Sequence, residues 1–587
     1  MTVGRCLAVI AARPGDIVAP EIIARLSGVH ALQIRYRSAN MMVWTDESLP
    51  ALPLDPDKGI VIGAVFEGLF PARSVDRFDQ RQVATIGQTH GRSLHTDMWG
   101  GFVAFLASRA NEEVRVVRDA SATRPIYFTM FGPCVVMATS VRDFELLGAA
   151  KPAIDLAYLA GHLQMRGFRF HRTALEGVEE LGPGEHLVIA DGTARREQGW
   201  SPWDFAARSV QIDDWREAAE GLAATVDATI GAWASCYRHA LLGVSGGLDS
   251  SIVAGALHHA GVELTLLNLL SVEGSLGDER HYANALGDSL GREVRNATES
   301  IASIDILRSD AAHLPRPLSR AFSQSGARNV KEWAEAVGAD VVFSGGGGDN
   351  VFCYIQSSAP VADRTLSRGG PFKFCETVRD VSALSGAGGF TVARAAVRRL
   401  RRRHPGYMWK PDLSFLRGRY RTVEFDVGCH PWLAPTKERL PGKLEHIGLL
   451  VIVSNFTEGF GYERKYPVIY PLLSQPVVES CLKIPSWMWC RGGVNRAVAR
   501  DAFRNRLPSE IIERTTKGSF DRLAIELIEQ QGREIEDLLC GGFLSDAGLL
   551  RTDEIRRALR QPGMYDDLAW ARILALLDVE AWCRSWQ

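Results

Sequence analysis

Two short segments of the sequence combine glycine, serine and aspartate in a pattern typical of phosphate sites. They are SGGLDSS (residues 245–251) and SGGGGDN (residues 344–350), and each directly follows an apolar run that predicts a β-strand. Glycines let backbone N–H groups approach an anion closely, and the start of a helix adds unpaired donors and a positive dipole end. No Gly-Lys-Ser/Thr follows the first segment, so it is not a Walker loop. The two segments predict a phosphate site at the ends of two strands.

Each segment also supplies one carboxylate, Asp249 in the first and Asp349 in the second. A carboxylate beside a phosphate is favourable when Mg²⁺ lies between them, because both groups are oxygen ligands of the kind that Mg²⁺ prefers. The sequence therefore predicts Mg²⁺ bound by Asp249 and Asp349, with phosphate oxygens and water at its other positions. In the alternative interpretation, both segments are glycine turns whose aspartates cap the following helices.

The surrounding residues predict the elements that position these loops. Residues 1–200 contain short β-favouring runs separated by Gly, Asp, Pro or charge, with one helix at 155–166. Residues 197–209 are interpreted as a linker. Beyond residue 215, strands alternate with helices, which is typical of a parallel sheet with helical crossovers. The predicted order is strand 240–244, helix 251–260, strand 264–270, helix 279–290, a helix around 301–312, and strand 341–344. We predict two domains, 1–208 and 209–587, with the second mostly helical after residue 354.

Composition excludes several classes of protein. The 587 residues are 46% apolar and 23% charged, which is typical of a globular chain, and the net charge of -2 gives no case for nucleic acid or an anionic membrane as partner. The N-terminus lacks the apolar run of a signal peptide, and no segment approaches the length of a membrane span. Ten cysteines occur without any CxxC pair, so neither a zinc site nor a disulfide framework is indicated. We expect a cytoplasmic protein with free thiols.

The loops and several other segments carry a resemblance to a known family. SGGLDSS resembles the pyrophosphate loop of the ATP-pyrophosphatase group, and FSGGGGDNVF resembles the second signature of asparagine synthetases. Further similar segments are VRDASATRPIYF (117–128), LGPGEHLVI (181–189), RKYPVIYPLL (464–473) and RTTKGSFD (514–521). The resemblance implies an α+β amino-terminal, glutaminase-like sandwich of the Ntn type. It implies an α/β ATP-pyrophosphatase (PP-loop) synthetase domain with a mostly helical carboxyl-terminal part.

The amino-terminal domain departs from the glutaminases of that family. Their nucleophile is an N-terminal Cys after Met removal, but position two is Thr2 here and Cys6 lies inside the first predicted strand. The family's oxyanion-hole Asn aligns with Ile62, which cannot donate a hydrogen bond. No arginine occurs in ALPLDPDKGI, where the family binds the glutamine carboxylate. These departures predict a domain that does not make ammonia and serves as scaffold or docking surface.

The second loop departs as well, and this points to one branch of the family. Gly346 stands where asparagine synthetases have Glu and β-lactam synthetases have Tyr, which suits a larger substrate. The chain is most similar to lasso peptide cyclases, which lack the N-terminal Cys and often carry an SGGGGDN loop. They also carry a stretch like His430-Pro431-Trp432…Pro441-Gly442-Lys443…His446. The resemblance implies a cyclase that adenylates an Asp or Glu side chain of a precursor core peptide. The peptide's N-terminal amine then closes a macrolactam, and the implied partners are that peptide and the pathway's leader peptidase or recognition protein.

The resemblance also implies roles for individual residues, with ATP and Mg²⁺ as cofactors. The pyrophosphate contacts would be Ser245, Gly246, Gly247, Ser250 and Ser251. Ser344 and Gly345 would contact the nucleotide, and main-chain groups at Leu267–Leu269 would face the adenine. Lys517 matches the family's catalytic lysine, and Glu463 is the candidate base for the incoming amine. Gly346, His430 and His446 are weaker candidates for substrate contact, because a lone histidine is more often structural.

Other interpretations stay open. The chain could be a small-molecule amide, asparagine or β-lactam synthetase that uses ammonia or an internal amine, or a non-catalytic homologue that binds a partner. The basic run VRRLRRRHPG (residues 397–406) is in the plain interpretation a solvated helical face. In the functional interpretation it docks the precursor peptide or the partner protease.

Overall fold

The computed structural model describes residues 4–13, 18, 20–29, 31–108, 113–121, 124–148, 150–270, 279–367, 370–401, 407–418, 430–434, 439–515, 521–560 and 569–587. The amino-terminal part is rich in strands, as predicted. Its strands are β1 (Cys6–Ala11), β2 (Gln33–Arg37), β3 (Met41–Thr45), β4 (Ala51–Asp55), β5 (Gly59–Glu67), β6 (Arg73–Ser74), β7 (Met98–Ser108), β8 (Glu113–Arg118), β9 (Tyr127–Phe131), β10 (Cys134–Ala138), β11 (Glu179–Glu180), β12 (Glu185–Ala190) and β13 (Thr193–Gln198). Its helices are α1 (Pro20–Ser27), α2 (Gln80–Gln88), α3 (Ser93–Thr96), α4 (Leu156–Gln164) and α5 (Trp203–Ala206).

These strands form two antiparallel sheets packed face to face. One has the order β11-β9-β10-β1-β3-β2, and the other has the order β13-β12-β8-β7-β5-β4, with β6 beside β5. Strand β1 shows how the layers arise, because successive side chains point to opposite faces. Ala8 and Ile10 enter the core between the sheets, whereas Leu7 and Val9 enter the core under the helices on the outer face. The predicted α+β sandwich is therefore present.

The carboxyl-terminal part contains a parallel sheet. Its strands are β14 (His239–Gly243), β15 (Glu263–Leu270), β16 (Val294–Thr298), β17 (Val341–Phe343) and β18 (Val468–Ile469), in the order β16-β15-β14-β17-β18. Each neighbouring pair is parallel, as the alternation of strands and helices predicts. The helices up to residue 400 are α6 (Trp215–Ala234), α7 (Leu248–Ala260), α8 (Arg280–Leu290), α9 (Gln324–Val337), α10 (Gly348–Val351), α11 (Ala359–Leu366), α12 (Phe374–Ser385) and α13 (Gly389–Leu400).

The remaining chain is mostly helical. Its helices are α14 (Pro441–Val453), α15 (Gln475–Lys483), α16 (Ala497–Ala502), α17 (Ser509–Glu513), α18 (Asp521–Gln530), α19 (Gly532–Gly541), α20 (Phe543–Asp546), α21 (Thr552–Leu559) and α22 (Ala569–Trp586). Helices α18 and α22 pack on the outer face of the β1 sheet, where Leu527 and Trp582 share one apolar core with Trp44. The end of the chain thus covers the beginning. Within the described residues, every helix is too short or too polar to cross a bilayer.

The helix predicted around 301–312 is wrong. Only a short 3-10 turn, Ile301–Ser303, forms there. The apolar spacing of Ile301 and Ile304 reflects burial against the carboxyl-terminal helices and not a helical stripe. Asp305 accepts a hydrogen bond from the Leu307 N–H at 3.0 Å, a local bond that competes with helix formation.

The segment predicted to be a linker is docked between the two parts of the molecule. Trp200 donates its indole N–H to Glu479 at 2.8 Å, and Trp203 donates to the Trp432 carbonyl oxygen at 2.8 Å. Both indoles need a partner when they are buried, and each finds it in the carboxyl-terminal part. The nine described cysteines are all free thiols.

Candidate active site

The two glycine loops lie side by side at the carboxyl edge of the parallel sheet. The first connects β14 to α7, and the second connects β17 to α10. Strands β14 and β17 are neighbours, with Leu242 opposite Phe343, so their loops leave the sheet at the same place. This edge is where open parallel sheets bind ligands. The amino-terminus of helix α7 therefore lies beside the second loop.

The glycines are required by close packing of the loops. Gly246 has φ of 62°, and a Cβ there would lie 2.2 Å from the Cβ of Tyr282. A Cβ at Gly345 would lie 2.6 Å from both the Cα and the N of Ser250, so the two loops touch through backbone. At Gly348 a Cβ would lie 2.2 Å from the Cγ of Asp249. A side chain at any of these positions would push the loops apart or displace Asp249.

The serines mainly hold the first loop in shape. Ser251 is fully buried, and its Oγ donates to the Gly247 carbonyl oxygen at 2.8 Å. Ser250 donates to the same oxygen at 3.2 Å. In the second loop, Ser344 Oγ accepts the Gly346 N–H at 3.0 Å. The predicted phosphate contacts Ser245 and Gly247 line the loop itself, whereas Ser251 faces the protein interior.

An arginine that sequence reasoning missed lies between the two aspartates. Arg496 Nη1 donates to both carboxylate oxygens of Asp249 at 3.0 Å and to Asp349 Oδ1 at 2.6 Å. Its guanidinium also lies 5.7 Å from the centre of the Tyr354 ring. Arg496 precedes α16 with φ of 53°, a left-handed conformation that is uncommon outside glycine. The segment GGVNRAV (residues 492–498) has no spacing that links it to either loop, so no sequence pattern indicated this contact.

The donor set fits a magnesium ion. Asp249 and Asp349 converge on one cationic nitrogen, so this point already attracts positive charge. The part of the chain that the structure describes contains no group of three or more His, Cys, Asp or Glu side chains suited to a metal. Mg²⁺ is commonly bound by one or two carboxylates plus phosphate oxygens and water, which is what this pair can offer. Binding would require Arg496 to release at least one carboxylate oxygen.

A second arginine ties the segment near Lys517 to the first loop. Arg514 donates to the Ser245 carbonyl oxygen at 3.1 Å and to Glu279 at 2.6 Å, and it stacks 4.1 Å from the Tyr282 ring. Lys517 itself lies outside the described residues. Because Arg514 precedes it by three positions, the chain enters this segment beside the first loop.

The two predicted adenine contacts, Leu267 and Leu269, direct their main-chain groups to different places. Leu267 is paired with Gly243, and its carbonyl oxygen accepts the Val244 N–H at 2.8 Å. Strand β15 continues to Leu270 alongside β16 only. Leu269, two residues after Leu267, therefore directs its main-chain groups past the end of β14 toward the space above the first loop. The Leu267 carbonyl oxygen is therefore already paired within the sheet, and an adenine contact at Leu269 stays a prediction.

The space beside Gly346 is partly filled by Tyr470. A Cβ at Gly346 would lie 3.1 Å from Cε1 of that ring, so the missing side chain does not leave an open hole. Tyr470 hydrogen-bonds with Tyr462, and the charge of Glu463 acts on both phenols. Burial raises the pKa of Glu463 to about 8, and its Oε2 accepts the Gly459 N–H at 2.8 Å. Glu463 is thus connected to the second loop through Tyr470, a residue that the sequence did not single out.

The two candidate histidines have structural surroundings. His446 Nε2 lies 2.8 Å from the Val351 carbonyl oxygen at the end of α10, and burial lowers the pKa of His446 to about 3. The neutral ring must therefore donate from Nε2, which fixes the helix of the second loop. His430 packs on Phe170 and Trp432 in a cavity between the two parts of the chain, and burial lowers its pKa to about 3.

Among the described residues of the amino-terminal part, Cys6 is not placed like the nucleophile of an N-terminal cysteine amidase. The Cys6 side chain is fully buried in β1, and burial raises the pKa of its thiol to about 12, so it stays protonated and unreactive. Ile62 is buried in the core between the sheets. Thr2 lies outside the described residues.

Comparisons with known proteins show the family of the chain. The model of the asparagine synthase family matches residues 240–425 and 464–584, together more than half of the chain. A solved structure described as the allosteric regulatory enzyme of purine biosynthesis is similar at 13% identity over 58% of this chain and 89% of its own, with a TM-score of 0.23. The glutamine phosphoribosylpyrophosphate amidotransferase from B. subtilis, complexed with ADP and GMP, is similar at 13% identity over 58% and 90%, with a TM-score of 0.22. No curated protein matches the chain. The family match includes both glycine loops and Arg496.

Proposed function

Because the chain belongs to the asparagine synthase family, we propose that it is a lasso peptide cyclase, an ATP-dependent ligase that forms AMP. In this proposal it adenylates an Asp or Glu side chain of a precursor core peptide and then joins that carbon to the peptide's N-terminal amine. The family supports ATP-dependent formation of a carbon–nitrogen bond. The cyclase branch rests on the departures of the amino-terminal domain at Cys6 and Ile62 and on the resemblance of the second loop.

One observation carries the proposal of a ligase. Asp249 and Asp349, from two loops on neighbouring parallel strands, converge on a single cationic nitrogen beside the start of α7. A pair of capping aspartates in two unrelated turns has no reason to converge in this way. A site that binds a polyphosphate together with a metal does, because both carboxylates must reach the same cation.

The chemistry begins with activation of the carboxylate. One of its oxygens attacks the α-phosphorus of ATP, the bond between the α and β phosphates breaks, and pyrophosphate leaves. The acyl-adenylate then carries AMP, a far better leaving group than oxide. The first loop and the amino-terminus of α7 would hold the departing pyrophosphate with backbone donors. Mg²⁺, held by Asp249 and Asp349, would neutralise charge on the phosphates when bound.

Ring closure follows on the same enzyme. The N-terminal amine attacks the acyl carbon, the bond to AMP breaks, and the amine loses a proton. That proton needs an acceptor whose pKa is near that of an α-amine, about 7.7–8.0. Glu463 has a pKa raised by burial to about 8, which makes transfer nearly balanced. Lys517 would stabilise the charge that develops as the adenylate forms and collapses.

The amino-terminal domain supplies no ammonia in this proposal. Its only cysteine near the N-terminus, Cys6, is held as a buried neutral thiol inside a strand. A synthetase without its own ammonia source needs an amine from elsewhere, and a peptide's own N-terminus is such an amine. Trp200 and Trp203 fix the domain against the ligase part, which suits a scaffold.

Mass spectrometry tests the proposal directly. The protein is incubated with ATP, Mg²⁺, the short peptide encoded beside its gene, and the partner protease that exposes the peptide's amine. We expect a peptide lighter by one water, formed only with ATP and accompanied by equal amounts of AMP and pyrophosphate. Asp249→Asn, which is close to isosteric, should abolish the product while leaving the melting temperature near that of the wild type.

A parallel reaction with aspartate and ammonia separates the alternatives. Asparagine in that tube with an unchanged peptide would replace the cyclase with a small-molecule synthetase. If neither tube consumes ATP and Mg·ATP does not raise the melting temperature, the chain is a binding module and not a ligase.

A further inference from the structure

A groove beside the second loop has the charge and shape of a peptide site. It has a volume of about 460 Å³, is open to solvent, and lies between α13, α14 and residues 407–410. One end is formed by Tyr354, whose N–H donates to the Asp349 carbonyl oxygen at 2.9 Å and whose ring faces Arg496. The groove therefore adjoins the paired aspartates through a single shared residue.

The floor of the groove is apolar and aromatic. The Tyr407 ring lies directly on α14, where a Cβ at Gly448 would be 2.0 Å from the Cε2 of Tyr407. Met408, also in the lining, is 64% exposed and presents apolar surface to the groove. Such a wall suits side chains of a ligand and not only a small polar substrate.

The charges of the groove do not balance. Glu445 is fully used, because it pairs with Arg399 at 2.6 Å and accepts a hydrogen bond from Ser357 at 2.5 Å. Arg399 also donates to Ser358 at 3.1 Å, so this arginine is part of the wall. Among the described residues, Arg398 and Lys410 form no ion pair, although both line the groove. Two positive charges therefore line the groove without an acidic partner among the described residues.

We propose that this groove binds an extended peptide segment carrying at least one carboxylate, with Arg398 and Lys410 as its counter-charges. The inference rests on the proposed function and states where the peptide binds. The peptide lies along α13 and α14, and its reacting carboxylate reaches the loops past Tyr354. The basic run that the sequence displays at 397–406 thus divides by role. Arg399 holds the wall through Glu445, and Arg398 meets the ligand.

Binding of a defined probe tests the groove without knowledge of the natural peptide. The probe is a rhodamine-labelled octapeptide, Gly-Phe-Asp-Gly-Glu-Phe-Asp-Gly, with both ends blocked, and its counterpart has Asn and Gln in place of Asp and Glu. We expect the acidic peptide to bind more tightly than its counterpart. The double variant Arg398→Gln, Lys410→Gln should weaken its binding about tenfold, as expected for two partly exposed ion pairs.

A matched control lies on the same helix. Arg394 is exposed on α13 but does not line the groove, so Arg394→Gln should leave the dissociation constant within about twofold, as is usual for a surface charge outside the contact. The melting temperature of each variant, with and without Mg·ATP, reports that folding and nucleotide binding are intact. Equal binding of the two peptides, no binding to the wild type, or no effect of the double variant would each overturn the inference.

Turnover distinguishes failure of the groove from failure of the function. With the natural precursor, the double variant should raise KM and leave kcat unchanged, because the contacts are the same before and during reaction. If the wild type cyclises the precursor and the variant does so with the same KM, the proposal that the groove binds the peptide is wrong, but the proposed cyclase activity is supported. If the precursor is not cyclised but acidic-peptide binding still depends on Arg398 and Lys410, the groove stands and the cyclase is wrong.

Discussion

Gly348 offers a way to move one carboxylate of the site without removing it. The residue begins α10 and has ordinary helical backbone, so alanine can adopt its conformation. A Cβ there would lie 2.2 Å from the Cγ and 2.5 Å from the Cβ of Asp249. Carbon atoms in contact sit about 3.5–4.0 Å apart, so the Asp249 side chain must shift by roughly 1 Å or more.

The expected effect on function is large and the effect on stability is small. A displacement of about 1 Å at a reacting centre can cost roughly 100-fold in rate. Replacing glycine by alanine in a helix is itself favourable by about 0.5–1 kcal/mol, which offsets part of the crowding. We therefore expect Gly348→Ala to lower kcat about 100-fold while the melting temperature stays close to that of the wild type.

Two measurements check this without depending on one another. The rate of AMP release with the precursor peptide measures turnover. Calorimetry with α,β-methylene-ATP and Mg²⁺ measures nucleotide affinity, and it does not depend on which acyl substrate the enzyme uses. Gly243→Ala is the matched control, because Gly243 ends β14 two positions before Ser245 and a Cβ there meets no atom within 4 Å. A Gly348→Ala protein with wild-type turnover and nucleotide affinity would refute the role given to Asp249.

Four further predictions concern individual residues. Arg496→Gln should tighten Mg²⁺ binding in the absence of nucleotide about tenfold, because a competing cation is removed from both carboxylates, and a metal titration showing no change would contradict this. Glu463 has a pKa raised to about 8, so its contribution to stability is complete below its usual pKa of about 4.3 and is lost as the pH rises through about 8. The melting temperature of Glu463→Gln should therefore rise relative to that of the wild type as the pH increases from 6 to 8.5. A difference that stays constant over this range would contradict the raised pKa of Glu463. His446→Phe should lower the free energy of unfolding by about 1–3 kcal/mol, because it leaves the Val351 carbonyl oxygen unpaired. The denaturation midpoint measures this loss, and an unchanged midpoint would contradict it. Lys517→Ala should remove about 2–4 kcal/mol of transition-state stabilisation, and a loss in kcat/KM below threefold would exclude that role.

Local patterns were sufficient for most of the fold. Strands β14, β15 and β17 and helices α7 and α8 occur within a few residues of their predicted bounds, because each has an apolar run ended by glycine or charge. The strands β16 and β18 escaped prediction, since β16 contains few apolar residues and β18 is only two residues long, and both are defined by their pairing with neighbouring strands. The helix expected around residue 301 failed because its isoleucines are buried by a segment that lies more than 200 residues further along the chain.

The sequence by itself determined the two glycine loops, their aspartates and their position after strands, because these depend on residues adjacent in the chain. It also determined that Cys6 sits inside a strand. Only the tertiary structure decided that Arg496 joins Asp249 to Asp349, that Tyr470 partly fills the space beside Gly346, and that Arg399 pairs with Glu445 in the groove wall while Arg398 forms no ion pair among the described residues. These contacts join residues up to about 250 positions apart. They depend on how the elements pack in the folded chain, which the spacing of the residues in the sequence does not indicate.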